Sequence, residues 1–294
     1  MESIPAADTR PAADTEPAGE GDPAAESIPA VDGELAGPFQ RRSVSFVHRD
    51  HRLRPTMQRT WDENRGRLMI DVPRARATTS VAAGFALDQI RDFGRVAPLV
   101  IEIGSGTGDA VVSGAQASPG TNFLAVDVYR PGLAATVSKI VQHDLTNVRL
   151  VDADAVQVLK HMVGPASVAE IWVFFADPWH KSRHHKRRLV NPGFAALAAS
   201  RLVPGGSLRL GTDWLHYAQQ MRDVLDACES MANPYGGGLA LDPVRQTRLA
   251  PDDPLSLVDL RGFAPRFEGR PMTRFEEKGM ASGRAIYDLE FRRI

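Results

Sequence analysis

An acid, an aromatic ring and a cluster of cations meet in the stretch Phe174-Phe175-Ala176-Asp177-Pro178-Trp179-His180-Lys181-Ser182-Arg183-His184-His185-Lys186-Arg187-Arg188. Asp177 can accept hydrogen bonds or offset a positive charge, and Pro178 stiffens the backbone leaving it. Trp179 either stacks on a base displaced from its helix or loop, or packs in a core. Lys181, Arg183, Lys186, Arg187 and Arg188 put five positive charges within eight residues. Such a run is usually a solvated surface, and it gains chemical meaning from its place beside a second constellation.

That second group is Glu102-Ile-Gly104-Ser-Gly106-Thr-Gly108, a turn whose glycines permit backbone angles and close ligand approach that a Cβ forbids. A nicotinamide-type fingerprint needs glycines spaced G-x-G-x-x-G, and position 109 is instead Asp, which would also repel a pyrophosphate from the helix start. Glu102 and Asp127 close two successive strands and so put carboxylates at the carboxyl edge of a sheet, where open α/β folds bind ligands. Asp127 lies about 20 residues past the glycines, the spacing at which an acid accepts from ribose hydroxyls. Asp154, opening the helix after the third strand, can reach an adenine amino group. The ligand these residues suggest is cationic and carries a ribose. Taken singly, the glycines are turn residues and the acids helix caps; their conjunction is what reads as a site.

The elements that must position these residues alternate. Apolar runs at 99–103, 123–128, 148–151, 171–176 and 208–211 read as short buried strands. Amphipathic stretches at about 109–117, 131–143, 155–162, 192–201 and 214–231 read as helices between them. This pattern predicts a parallel sheet with helices on both faces and right-handed crossovers. A Gly/Pro-rich interval at 233–270 has no clear period, and 285–292 alternates imperfectly as a last strand.

Composition bounds the rest. Residues 1–36 carry nine Asp/Glu against one Arg, and residues 37–294 carry 34 Lys/Arg against 27 Asp/Glu, so the folded part is basic and suits a polyanionic partner. Residues 1–38, rich in Pro, Ala and acids, read as a disordered tail; residues 39–80 read as a basic arm and lead-in, with Arg41, Arg42, Arg49, Arg52, Arg54 and Arg59, and 81–294 as the main domain. The single cysteine, Cys228, excludes an internal disulfide and a Cys-cluster zinc site. No His/Asp/Glu spacing suggests a metal, so none is expected; His161 and His216 read as surface or packing residues, and Trp214 and Tyr217 as packing residues. No apolar run is long enough to span a bilayer and no secretory pattern opens the chain, so a cytoplasmic protein is expected.

The glycine turn and its acids resemble the Rossmann-like class I methyltransferases that use S-adenosyl-L-methionine. The run from Asp177 through Arg188, then Thr212-Asp213-Trp214 with Tyr217, then Arg270-Pro271-Met272-Thr273-Arg274-Phe275-Glu276 resembles the bacterial tRNA (guanine-N7)-methyltransferases, the TrmB family. The likeness spans about 46–294. It implies an α/β fold with a mostly parallel seven-stranded sheet flanked by helices, S-adenosyl-L-methionine as methyl donor and tRNA as partner. It also implies a target guanosine at position 46 of the variable loop, while assembly as a monomer or homodimer stays open on the residues. Donor contacts are implied for Glu102, Asp127, Asp154 and Asp177, with Gly104 and Gly106 facing the methionine part. Substrate contacts are implied for Lys181, Asp213, Thr273, Arg274, Phe275 and Glu276, and RNA-backbone contacts for Arg183, Lys186, Arg187 and Arg188. Two positions depart from the family's habit: Arg274 stands where Lys is common, and Asp127 where Glu is often found.

Guanine N7 is an exposed acceptor with a free lone pair and carries no proton that must leave. No strong general base is required, and Asp177 is the residue expected to matter most, by positioning and by offsetting charge. Two other readings stay open on the residues themselves. Asp177-Pro178-Trp179 is one residue from the Asp-Pro-Pro-aromatic loop of exocyclic-amine methyltransferases, and a basic methyltransferase fold can serve as a non-catalytic RNA-binding protein.

Overall fold

A computed structural model describes residues 52–75, 77–236 and 261–294, all within one unit, Ser43–Ile294. The expected tail at 1–38, the first part of the basic arm and most of the 233–270 interval lie outside the described residues.

The central strand, β1 (Leu99–Ile103), is apolar except for Glu102, and all five residues are buried, as a strand covered on both faces requires. Around it lie β2 (Asn122–Asp127), β3 (Val148–Asp152), β4 (Val168–Phe174), β5 (Leu202–Thr212), β6 (Met231–Ala232) and β7 (Tyr287–Arg293). Their order is β3-β2-β1-β4-β5-β7-β6. The first five are parallel, whereas β7 runs antiparallel to both β5 and β6. The sheet is therefore mostly parallel and mixed at one edge. Strands step outward from β1 through β2 to β3, and the chain then returns to the other side of β1 as β4. That reversal makes a switch point between β1 and β4, where the crossovers diverge and leave a crevice at the carboxyl edge.

One face is covered by α1 (Pro55–Leu68), α3 (Asp109–Ala117) and α4 (Arg130–Gln142), through a core containing Trp61, Leu68, Val111, Leu133, Val137 and Ile140. The other carries α2 (Gln89–Phe93), α5 (Ala155–Gln157), which continues as a π-helical turn (Val158–Met162), α6 (Pro192–Arg201) and α7 (Leu215–Asp226). A 3-10 helix (Ser182–Arg187) and α8 (Arg274–Ala281) complete the described elements. Where caps are written in the sequence, boundaries follow them. Asn191 accepts from the Phe194 N–H while Pro192 presets the first turn of α6.

The structure departs from the sequence expectations in four places. The predicted helix at 155–162 loses its α-geometry after Gln157. The predicted helix at 214–231 ends at Asp226, leaving Met231 free to pair with Arg293 as β6. Strands β4 and β5 both begin earlier than the apolar runs suggest, because Val168 pairs with Leu202 ahead of a register shift. Part of the expected basic lead-in is α1, whose Trp61 and Leu68 are buried against α4, with the Arg130 guanidinium 5.6 Å over the Trp61 ring. Among the described residues no helix is long and apolar enough to cross a membrane.

Candidate active site

The carboxyl ends of β1, β2 and β3 bring one group of acids together. The turn after β1 places Gly104 and Gly106 at φ +70° and +53°, where side chains are strained, and a Cβ on either would meet nothing within 4 Å. The space beside the turn is thus open to a ligand. Asp127 organises the turn from below: its Oδ2 accepts from the Gly106 N–H at 2.7 Å, and its Oδ1 from the Val128 and Tyr129 N–H groups at 2.7 and 2.8 Å. Three of its roughly four lone-pair positions are filled, leaving capacity for an incoming hydroxyl. Burial, with Asp152 alongside, pushes the Asp127 carboxyl up, opposed by those same N–H groups.

Glu102 is buried behind the turn, and its Oε2 has no hydrogen-bond partner among the described residues. Burial pushes its carboxyl up to about 8, reinforced by Asp127 and Asp109 and opposed by the Val111 N–H and Lys139. A buried carboxylate oxygen left without a donor costs free energy until a cation or donor arrives, so this end of the crevice fits a ligand bearing positive charge. Asp109 is drawn to Lys139 at 2.5 Å, and the Lys139 ammonium also donates to the Thr107 carbonyl. Asp154 caps α5 by accepting from the Gln157 N–H at 3.1 Å. Asp152 pairs in register with Asp127 and is pushed up by burial against Arg74 and Arg130. Sequence reading passed over Asp152, although it too ends a strand.

Beyond β4 the chain turns sharply. Phe175 and Trp179 both hold positive φ, +55° and +43°, bracketing Asp177 and Pro178. Strained residues of this kind persist only where the surroundings over-determine them. Phe175 is held by its N–H to the Gly211 carbonyl at 2.7 Å and by a stacked contact with Phe275, ring centroids 6.5 Å apart. Asp177 is exposed at the tip. Lys181, Arg183, Lys186 and Arg187 are exposed on or beside the 3-10 helix, and the Arg187 guanidinium covers the Trp179 ring at 4.9 Å. Trp214 and His180 meet edge to face at 4.2 Å. With Pro178, Asp213 and Arg284 they line a cavity of about 270 Å³. Arg284, which no sequence signal singled out, donates from Nε to Asp213 Oδ2 at 2.8 Å.

Two expected RNA-facing residues prove to be internal. Arg188 is only 2% exposed. Its Nε donates to the Pro178 carbonyl at 2.7 Å, its Nη1 to Gln220 Oε1 at 2.5 Å and His216 Nδ1 at 3.1 Å, and it lies over the Tyr217 ring. These bonds close the loop that carries Asp177 and keep the guanidinium off the surface, with Nη2 buried and without a hydrogen-bond partner among the described residues. Glu276 is 1% exposed and bound by Arg266 at 2.8 Å and by Arg270. Burial would raise its carboxyl, but the two guanidinium groups outweigh that and hold it below the usual carboxylate range. Arg270, itself buried, also pairs with Asp288. The two ends of the Arg270-to-Glu276 motif thus belong to a packed ion cluster with Arg266 and Asp288. Within it Thr273 caps α8 by accepting from the Glu276 N–H at 3.1 Å, and Phe275 is 66% exposed. The backbone of Arg274 opens α8; its side chain lies outside the described residues. Tyr217 packs in the core, its hydroxyl accepting from the Val190 N–H. Among the described residues no group of three or more His, Cys, Asp or Glu could hold a metal ion.

Comparison with known proteins agrees with this geometry. A family described as "Putative methyltransferase" matches residues 96–235, which run from just before β1 to just past β6. A tRNA (guanine-N(7)-)-methyltransferase of Arthrobacter sp. (strain FB24) is 44% identical over 291 aligned positions, covering 88% of this chain and 88% of the relative. Proteins of the same name from Paenarthrobacter aurescens (strain TC1) and Cutibacterium acnes (strain DSM 16379 / KPA171202) are 46% and 45% identical, each covering 87% of this chain and 93% and 84% of the relative. Identity at this level across nearly the whole described fold, including both halves of the crevice, has one reading: the chain belongs to the tRNA (guanine-N7)-methyltransferase family.

Proposed function

We propose that this protein transfers a methyl group from S-adenosyl-L-methionine to N7 of a guanine in tRNA, at position 46 of the variable loop. The observation that carries the reading is the pairing of two unlike ends of one crevice. Behind the glycine turn sits the unpartnered buried oxygen of Glu102, and across the β1/β4 switch point sit Asp177 and Asp213 beside exposed cations.

The donor half fits S-adenosyl-L-methionine residue by residue. Glu102 would take its ammonium group, Gly104 and Gly106 would admit its methionine part to the open side of the turn, and the remaining capacity of Asp127 would take a ribose hydroxyl. Asp154 would reach the adenine while still capping α5. When bound, the donor supplies an electrophilic methyl group on a sulfonium.

The chain's own task is then to orient a base whose N7 lone pair attacks without losing a proton. Asp177 and Asp213 would accept from the N–H edge of guanine, which fixes the ring and offsets the positive charge that methylation leaves on it. Lys181, Arg183, Lys186 and Arg187 would hold phosphates. Recognition of tRNA by shape and backbone suits a basic face.

The test is transfer of labelled methyl from S-adenosyl-L-methionine to unmodified tRNA transcripts carrying guanosine or 7-deazaguanosine in the variable loop. Label incorporated with guanosine and lost with the 7-deaza base is the expected result. Label retained with 7-deazaguanosine would point to an amine acceptor, and donor binding with no transfer to any RNA would point to a non-catalytic protein; either overturns the proposal.

A further inference from the structure

Asp213 and Arg284 are 71 residues apart in sequence, and the fold brings them together for a simple reason. Strand β5 ends at Thr212, which pairs antiparallel with Tyr287 at the start of β7. The residue after β5 and the residues before β7 therefore leave the sheet at the same point. Arg284 is further fixed by the way α8 ends. Gly283 takes φ +73°, the Gly283 N–H returns to the Met280 carbonyl and the Arg284 N–H to the Gly279 carbonyl, both at 2.9 Å. This is the paired closure of a left-handed C-terminal cap, and it delivers the Arg284 side chain to the cavity from a rigid base. At its other end α8 is tied to the Asp177 loop by the Phe275–Phe175 stack.

A guanidinium has five donors in a planar fork. Asp213 uses the Nε edge, and among the described residues Nη1 and Nη2 make no hydrogen bond. The side chain is 42% exposed beside the cavity lined by Pro178, His180, Asp213 and Trp214. Arg284 is itself among the residues lining that cavity, so its unused donors stand beside it. The free edge is not suited to the base itself: an arginine fork set against guanine takes O6 and N7, and N7 is the atom that must stay free to attack. The partner chemistry that remains for a two-donor planar edge on a nucleic acid is a phosphate, which matches it bidentately.

We propose that Arg284 is a positioning residue that grips a backbone phosphate of the target strand with its Nη edge while its Nε holds Asp213 against the base. This rests on the nucleic-acid substrate proposed above. Because one planar group touches both the phosphate and the base-reading acid, it sets the register between backbone and base. Lysine reproduces this poorly: its three donors radiate from a single point, so it lacks the rigid plane whose separate edges hold a carboxylate and a phosphate at a fixed spacing.

The experiment measures tRNA affinity against salt concentration, and single-turnover methyl transfer, for the wild type, Arg284→Gln, Arg284→Lys and Asp213→Asn. Arg284→Gln should make the log–log salt slope shallower by about one unit, as loss of one phosphate contact does, and should also slow transfer. Arg284→Lys should restore the slope but recover transfer only in part. Asp213→Asn should slow transfer with the slope kept. An Arg284→Gln slope equal to the wild type's, or a slope that Arg284→Lys does not restore, overturns the inference. If the wild type transfers no methyl to guanine N7, the functional reading falls instead, so the two failures are distinguishable.

Discussion

Glu102 shows how much one side chain can bias a site. Its pKa of about 8 in the folded protein lies above its ordinary 4.5 because burial penalises the charge. The folded state keeps a proton that the unfolded chain releases, so the stability this group contributes is whole below about pH 4.5 and is lost as pH rises toward 8. A cationic donor reverses that preference, since it pairs with the carboxylate and not with the acid. Donor affinity in the wild type should therefore climb between pH 6 and pH 8 and level off above, as titration calorimetry would read. In Glu102→Gln the climb should vanish and affinity should fall by roughly tenfold to a hundredfold, the cost of losing a charged hydrogen-bond partner. The same variant should melt higher than the wild type at pH 8 and no higher at pH 4.5. Wild-type affinity that is flat from pH 6 to pH 9 would remove Glu102 from the donor site.

At the scale of elements, the site depends on how α4 meets the glycine turn. A Cβ built on Gly132, in the first turn of α4, would sit 2.4 Å from the Gly106 carbonyl oxygen, which is backbone and cannot rotate away. Gly132→Ala should push the turn off Asp127, destabilise the fold by about 1–3 kcal/mol and weaken donor binding more than tRNA binding; equal loss of both would argue against so local an effect. Such a contact is invisible in a sequence, and it marks where sequence reading stopped. Helices α3 and α6 lie where the amphipathic pattern placed them, and Glu102, Asp127, Asp154 and Asp177 were found because each stands at or just past the end of an apolar run. What escaped depends on partners supplied from far along the chain. Arg188 looked like one more exposed cation because nothing nearby reveals Gln220 and His216, and Glu276 looked free because Arg266 and Arg270 close on it only once α8 folds back. Helix α1 went unseen for a related reason: its buried side is little more than Trp61 and Leu68 in an otherwise charged stretch, and only α4 makes that side apolar.

For the molecule as a whole, charge is segregated from chemistry. The nine acids of residues 1–36 mask an excess of Lys and Arg in the remainder, and the exposed cations Arg183, Lys186 and Arg187 lie on a 3-10 helix just past the acid expected to act on the base. A polyanion bound through phosphate contacts gains its affinity from released counterions, while turnover depends on how the base sits. The two should therefore separate on mutation. Replacing Arg183, Lys186 and Arg187 together by Gln should flatten the salt dependence of tRNA binding by up to about three units of log–log slope and raise KM. Asp177→Ala should leave the slope intact and cut kcat by about a hundredfold to a thousandfold, the scale lost with one group that stabilises transition-state charge. Arg188 supplies the internal control. Although it belongs by sequence to the same basic run, its guanidinium is held by Pro178, Gln220 and His216, so Arg188→Gln should lower Tm and kcat together with no change in salt slope. A slope that fell with Arg188→Gln as it does with the surface triple variant would mean the loop opens to expose that charge when tRNA binds, and the division of labour drawn from the free protein would not hold in the complex.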